Sequence, residues 1–112
     1  SVAVIVEGLI RAYLTKGALM TENQFQSAIG AAETFKRLTD DPMEADFWSG
    51  YIRGTRRLYH GDKFGTAEEH DLWMKAGNSD DESRRRQGAG YMAGFNGLVI
   101  EAAITAAKGE RT

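Results

Sequence analysis

Apolar residues recur at three- and four-residue spacing through most of the chain, the period of amphipathic helices rather than of strands. Val2, Ile5, Val6, Leu9, Ile10 and Tyr13 make the first such stripe, with Glu7 and Arg11 opposite and a stop at Lys16-Gly17. A strand is the competing reading, because VAVIV is β-branched; the continuation of the spacing to Tyr13 favours helix. A second stripe over 22–38 carries Phe25, Ala28, Ile29, Ala32 and Phe35. A third over 42–60 carries Phe47, Trp48, Tyr51, Ile52, Leu58 and Tyr59, and Gly61 ends it. A short fourth, 67–76, offers Leu72, Trp73 and Met74 before Gly77. The fifth begins after Ser79 and runs to Lys108-Gly109 with Tyr91, Phe95, Leu98, Val99 and Ala102 inward, its weak points at Gly88 and Gly90.

The helix starts share one grammar. Thr21 and Gln24, Asp41 and Glu44, Thr66 and Glu69, and Ser79 and Glu82 each place a capping side chain three residues before an acid or amide. Met20 and Phe25 stand where a hydrophobic staple closes the first, and Pro42 occupies the first helical position after Asp41. The pattern predicts an all-α fold: a compact bundle of about five helices in a single domain, 1–112. Residues 1–19 form an N-terminal extension helix in this reading, with Met20 a possible start of the body.

Composition adds limits. A net charge of −2 argues against a generally basic nucleic-acid binder while leaving room for a local patch. The absence of cysteine excludes disulfides and thiolate metal sites. The opening VAVIV run is too short and too soon charged for a signal peptide or a membrane span, so the expectation is a cytoplasmic protein without membrane contact.

The thirteen glycines change the picture more. Gly50-Tyr51-Ile52-Arg53-Gly54 and Gly90-Tyr91-Met92-Ala93-Gly94 each set small residues four apart beside a tyrosine. Inside helices those four glycines cost about 4 kcal/mol in propensity. Close backbone approach offsets that, either between the third and fifth helices or across a dimer interface.

Candidate chemistry concentrates in FWSGYIRGTRRLYHGDKFGTAEEHDLW, residues 47–73, which holds both tryptophans and both histidines. Tyr59, His60, Asp62, Glu69 and His70 invite a small-ligand, metal or acid–base reading. Their spacing matches no ligand motif, and the competing account has Glu69 capping a helix while His70 packs with Trp73. No cofactor or metal is called for, and no catalytic residue is assigned. Arg53, Arg56, Arg57 and Lys63 lie near one another and suit phosphates in a nucleic-acid reading. Arg84, Arg85 and Arg86 are instead balanced by Asp80, Asp81 and Glu82 one turn earlier. Phe47, Trp48, Tyr51, Tyr59, Phe64, Trp73, Tyr91 and Phe95 make an aromatic set too large for a short bundle to hide, which points to a partner surface, and Trp48, Tyr51, Tyr59, His60, Phe64, His70, Trp73 and Tyr91 are the residues assigned to it.

The run GYIRGTRRLYHGDKFGTAEEHDLW, residues 50–73, resembles segments of small uncharacterised bacterial proteins carried on mobile genetic elements. The resemblance implies a bacterial accessory protein and carries over no catalytic residue. The sequence therefore predicts a non-enzymatic interaction protein, self-associating as a homodimer through aromatic and glycine-rich helix faces. The alternatives are a nucleic-acid-associated factor using the arginines and a ligand- or metal-binding protein at His60–His70.

Overall fold

The computed structural model describes residues 20–108, and the chain is all-helical there, without strands. The expected first helix lies outside the described residues. Five α-helices follow one another: α1 (Glu22–Leu38), α2 (Pro42–His60), α3 (Ala67–Ala76), α4 (Glu82–Phe95) and α5 (Ile100–Ala107). A 3-10 turn, Gly61–Lys63, leads out of α2.

Local capping chemistry fixes where the helices begin. At α1 the reciprocal box is complete: Gln24 N–H donates to Thr21 Oγ1 at 3.1 Å and Thr21 N–H donates to Gln24 Oε1 at 2.9 Å. Two other starts keep the cap and redirect the acid. Asp41 accepts from Met43 N–H, but the Glu44 carboxylate accepts from Thr39 Oγ1 at 3.0 Å. Thr66 accepts from Glu69 N–H, while the Glu69 carboxylate reaches Arg53 at 3.2 Å. At α4 the cap is Asp81 rather than Ser79: Asp81 Oδ2 accepts from Arg84 N–H at 2.8 Å, and Ser79 Oγ accepts from Asp81 N–H. Arg85, expected to pair with an acid one turn back, donates instead to the Ser79 and Asp80 carbonyls.

The predicted fifth helix is two helices, and its break is not at Gly88 or Gly90. Leu98 N–H donates to the Ala93 carbonyl at 2.9 Å and Gly97 N–H to the Gly94 carbonyl at 3.1 Å, the paired bonds of a Schellman stop. That stop needs a left-handed residue, supplied by Gly97 at φ +76°. Gly88 and Gly90 serve a different purpose inside α4.

α2 and α4 form the axis of the bundle. A Cβ placed on Gly50 would stand 1.9 Å from the Gln87 carbonyl oxygen, and one on Gly90 would stand 1.9 Å from that of Phe47. Gly54 and Gly94 repeat the pattern one turn on, 2.1 Å from the Tyr91 oxygen and 2.2 Å from that of Tyr51. Facing residues advance in the same direction, so the two helices run parallel with their backbones in contact. The glycine α-hydrogens point at those carbonyls, the geometry of Cα–H···O contacts. α3 makes the return crossing and docks its end on α4, where a Cβ at Gly88 would meet Gly77 N at 2.1 Å. The glycine echo is thus occupied within the chain.

The main core lies on the other side of this axis, where α1 and α5 pack on α2. Phe25, Ile29 and Ala32 meet Phe47, Trp48, Tyr51 and Ile52, closed by Ala103 and Ala107. Asp46 ties α2 to the start of α4 by accepting from Ser83 Oγ at 2.7 Å and from Gln87 Nε2 at 3.3 Å. Arg86 donates to the Ala107 carbonyl, tethering the end of α5. Among the described residues no helix is long and apolar enough to cross a membrane.

Candidate interaction surface

The helix phases divide the expected aromatic set. Trp48, Tyr51 and Tyr91 point between helices and are each only 2% exposed. Trp48 packs edge-on to Phe47 and Tyr51 and stacks near Phe35, so it belongs to the core. Tyr51 spends its hydroxyl on the Leu98 carbonyl, donating at 2.6 Å across the α4–α5 corner. Tyr91 sits under α3, its hydroxyl 2.6 Å from His70 Nδ1, with Trp73 and Phe95 both stacked near it.

Tyr59, His60, Phe64 and Trp73 lie in one continuous strip along the surface, anchored at one end by the buried Phe25. Phe25, at the start of α1, stacks face to face on Tyr59 with centroids 4.3 Å apart. Tyr59 meets His60 edge-on at 5.1 Å, and His60 faces Phe64 at 6.4 Å. The Arg53 guanidinium then lies over Phe64 at 5.6 Å and over Trp73 at 5.1 Å, bridging the two rings by cation–π attraction. Glu69 holds that guanidinium in place from α3. Tyr59, Phe64 and Trp73 are half-buried, His60 is exposed, and Leu72 beside Trp73 is 65% exposed. Phe25, Arg53 and Leu72 were not among the residues picked from sequence for this surface. Phe25 and Tyr59 lie on different helices, and only the packing of α1 on α2 joins them.

The turn beneath the strip is built rather than loose. Arg57 Nη1 donates to the Phe64 carbonyl at 3.1 Å and to that of Gly65 at 3.4 Å, while Nη2 reaches Asp62 at 3.3 Å. Gly61 and Gly65 supply the positive φ angles, +66° and +85°, that let the chain reverse twice within five residues. Phe64 is thereby presented from a fixed backbone.

The other two candidate sets are dispersed. His60 belongs to the Phe25–Tyr59–Phe64 group and His70 to the Tyr91–Phe95 group, so the imidazoles stand in separate ring clusters. Among the described residues no three histidine or carboxylate groups converge where a metal ion would be held. Arg53, Arg56 and Arg57 each face a carboxylate, Arg56 lying 3.7 Å from Glu33, and Lys63 is exposed at the turn.

Burial holds the phenols of Tyr51 and Tyr91 above their ordinary value; for Tyr91 the nearby Arg57 and Arg53 pull the other way without cancelling it. A raised native pKa means the folded chain keeps these protons more tightly than the unfolded one. The stabilisation is therefore complete below the unfolded value of about 10 and is lost as pH rises through the native one. Urea melts at rising alkaline pH are expected to show falling stability from about pH 10 upward, with a shallower fall in Tyr91→Phe. An identical slope in that variant would assign the alkaline loss elsewhere.

A second surface feature lies along α1. α1 and the α4–α5 corner enclose an open groove of about 1020 Å³, lined by Met20, Ala28, Ala31, Leu58, Leu98 and Val99 among others. Val99 is 62% exposed at its edge. Comparison with protein-family models, curated proteins and solved structures finds no match for this chain.

Proposed function

We propose that the chain is a non-enzymatic accessory protein that works by contact, pairing with a second copy of itself through the Phe25–Tyr59–His60–Phe64–Arg53–Trp73 strip. The observation that carries this reading is the continuity of the strip. Five rings and one arginine touch in sequence: Phe25 is the buried inner end, and the others are partly or fully exposed and already locked by stacking and by the Arg57-bound turn. Aromatic residues and arginine supply most hot spots at protein interfaces, and side chains ordered beforehand lose little entropy on binding. A strip of this kind is also self-complementary, since rings on one copy can stack between rings on a two-fold mate. A bacterial, cytoplasmic setting is part of the proposal and rests on the resemblance of residues 50–73 alone.

Light scattering over a dilution series is expected to show a monomer–dimer equilibrium. Phe64→Ala should weaken it about 10- to 100-fold, the range for losing one anchor of about 1.4–2.7 kcal/mol. A species that stays monomeric at every concentration, or a dimer indifferent to Phe64→Ala, would remove the proposal.

A further inference from the structure

The α4–α5 corner carries a reactive pair of residues that the aromatic strip does not use. Of the three asparagines, Asn23, Asn78 and Asn96, only Asn96 precedes a glycine. A main-chain nitrogen can attack the side-chain amide of the residue before it, and glycine offers that nitrogen with no side chain in the way. Asn96 and Gly97 are both exposed.

The fold keeps the reacting atoms apart. Asn96 ends α4 at φ −85° and ψ 2°, its own N–H donating to the Met92 carbonyl at 3.0 Å. Gly97 N–H donates to the Gly94 carbonyl at 3.1 Å, so the attacking nitrogen is committed to the helix end and its proton is held there. Leu98 locks the same turn twice. Its N–H donates to the Ala93 carbonyl at 2.9 Å, and its carbonyl accepts from the Tyr51 hydroxyl at 2.6 Å. Attack requires Gly97 to leave Gly94, which confines it to moments when the corner opens locally.

We propose that Asn96 is a self-modification site gated by this corner. In the open state the Gly97 nitrogen bonds to Asn96 Cγ and gives up its proton as the Cγ–Nδ2 bond breaks. Ammonia leaves and a five-membered imide remains. Water then adds at one of the two imide carbonyls, and the bond from that carbon to nitrogen breaks. Hydrolysis at Cγ leaves aspartate on the original main chain; hydrolysis at the main-chain carbonyl leaves isoaspartate, whose main chain runs through Cβ. The net change is one amide and one water to one carboxylate and one ammonia, with no electron transferred. The isoaspartate chain is longer between 96 and 97, so Gly97 and Leu98 lose register with Gly94 and Ala93. The Leu98 carbonyl then moves off a tyrosine only 2% exposed, leaving its hydroxyl without that acceptor. The stop cannot re-form, and the opening becomes one-way.

The full chain is incubated in native buffer and in unfolding urea, and mass-spectrometric peptide mapping follows all three asparagines. In urea, Asn96 is expected to deamidate about tenfold or more faster than Asn23 or Asn78, and about tenfold or more faster than in the folded chain. Tyr51→Phe, which removes the tie to Leu98, is expected to speed the native reaction several-fold and to leave the urea rate unchanged. The isoaspartate form, separated from its parent, should unfold at a lower urea midpoint. Equal rates in native buffer and urea, a native rate indifferent to Tyr51→Phe, or a parent-like midpoint for the isoaspartate form would each overturn the gate. None of these readouts involves Phe64 or the dimer equilibrium, so the two proposals fail separately.

Discussion

Gly50→Ala and Gly90→Ala are expected to destabilise the fold by about 3 kcal/mol or more each, whereas Gly30→Ala is expected to stabilise it by about 1 kcal/mol. All three add one methyl group to a helix interior and all three gain the same intrinsic propensity. The difference lies in what faces the new carbon. At Gly50 it would stand 1.9 Å from the Gln87 oxygen, and at Gly90 1.9 Å from the Phe47 oxygen, against ordinary contacts near 3.4–4 Å. The obstacles are backbone carbonyls inside helices, so no rotamer change relieves them; α2 and α4 must separate along their whole contact. Separation opens the Tyr51 and Tyr91 packing that the contact organises. At Gly30 nothing lies within 4 Å of the added carbon, and only the reduced freedom of the unfolded chain is felt. For a domain of this size the losses correspond to about 12–24 °C in Tm. Urea melts check the sign, with a lower midpoint at constant slope for Gly50→Ala and a higher one for Gly30→Ala. A neutral Gly50→Ala would mean that the two helices do not meet at their backbones.

The same contrast marks the limit of what sequence reveals here. Signals that act within one turn were readable: Thr21, Asp41 and Thr66 cap α1, α2 and α3, and the residue spans expected for those helices match the structure. Glycine is harder, because its effect depends on a distant neighbour. Gly88 and Gly90 look like weak points in a helix and are instead the places where Gly77 and Phe47 come close. Gly97 looks unremarkable after Asn96 and is the residue that ends α4. The direction of the carboxylates was equally invisible. Glu44 and Glu69 stand at the box position, but Thr39 and Arg53 outcompete the cap N–H for them. The paired glycine motifs did announce close backbone approach, and α2 against α4 is where it occurs. The aromatic set was legible as a set but not in its division, since ring burial depends on helix phase and on which helix crosses above.

That division gives the two tryptophans opposite expected phenotypes. Trp48→Ala removes a side chain 2% exposed that touches Phe35, Phe47 and Tyr51 at centroid distances of 5.3–5.4 Å. Deleting so large a buried ring typically costs about 3–5 kcal/mol, because the walls relax only in part and the cavity remains. For a domain whose total stability is about 5–15 kcal/mol, the variant is expected to melt far below the parent or to be partly unfolded at 37 °C. Trp73 is half-exposed, stacked on Tyr91 and in cation–π contact with Arg53. Trp73→Ala uncovers Tyr91 without opening the core, so its loss of stability should be about 1–2 kcal/mol. Its larger effect is expected in dimer dissociation, weakened about 10- to 100-fold as for Phe64→Ala. Thermal melts and light scattering on the pair therefore separate a ring that holds the fold from one that serves the surface. If Trp73→Ala lowered stability as much as Trp48→Ala while leaving dissociation unchanged, the strip would be an outlying part of the core, and its arginine and rings would exist for packing alone.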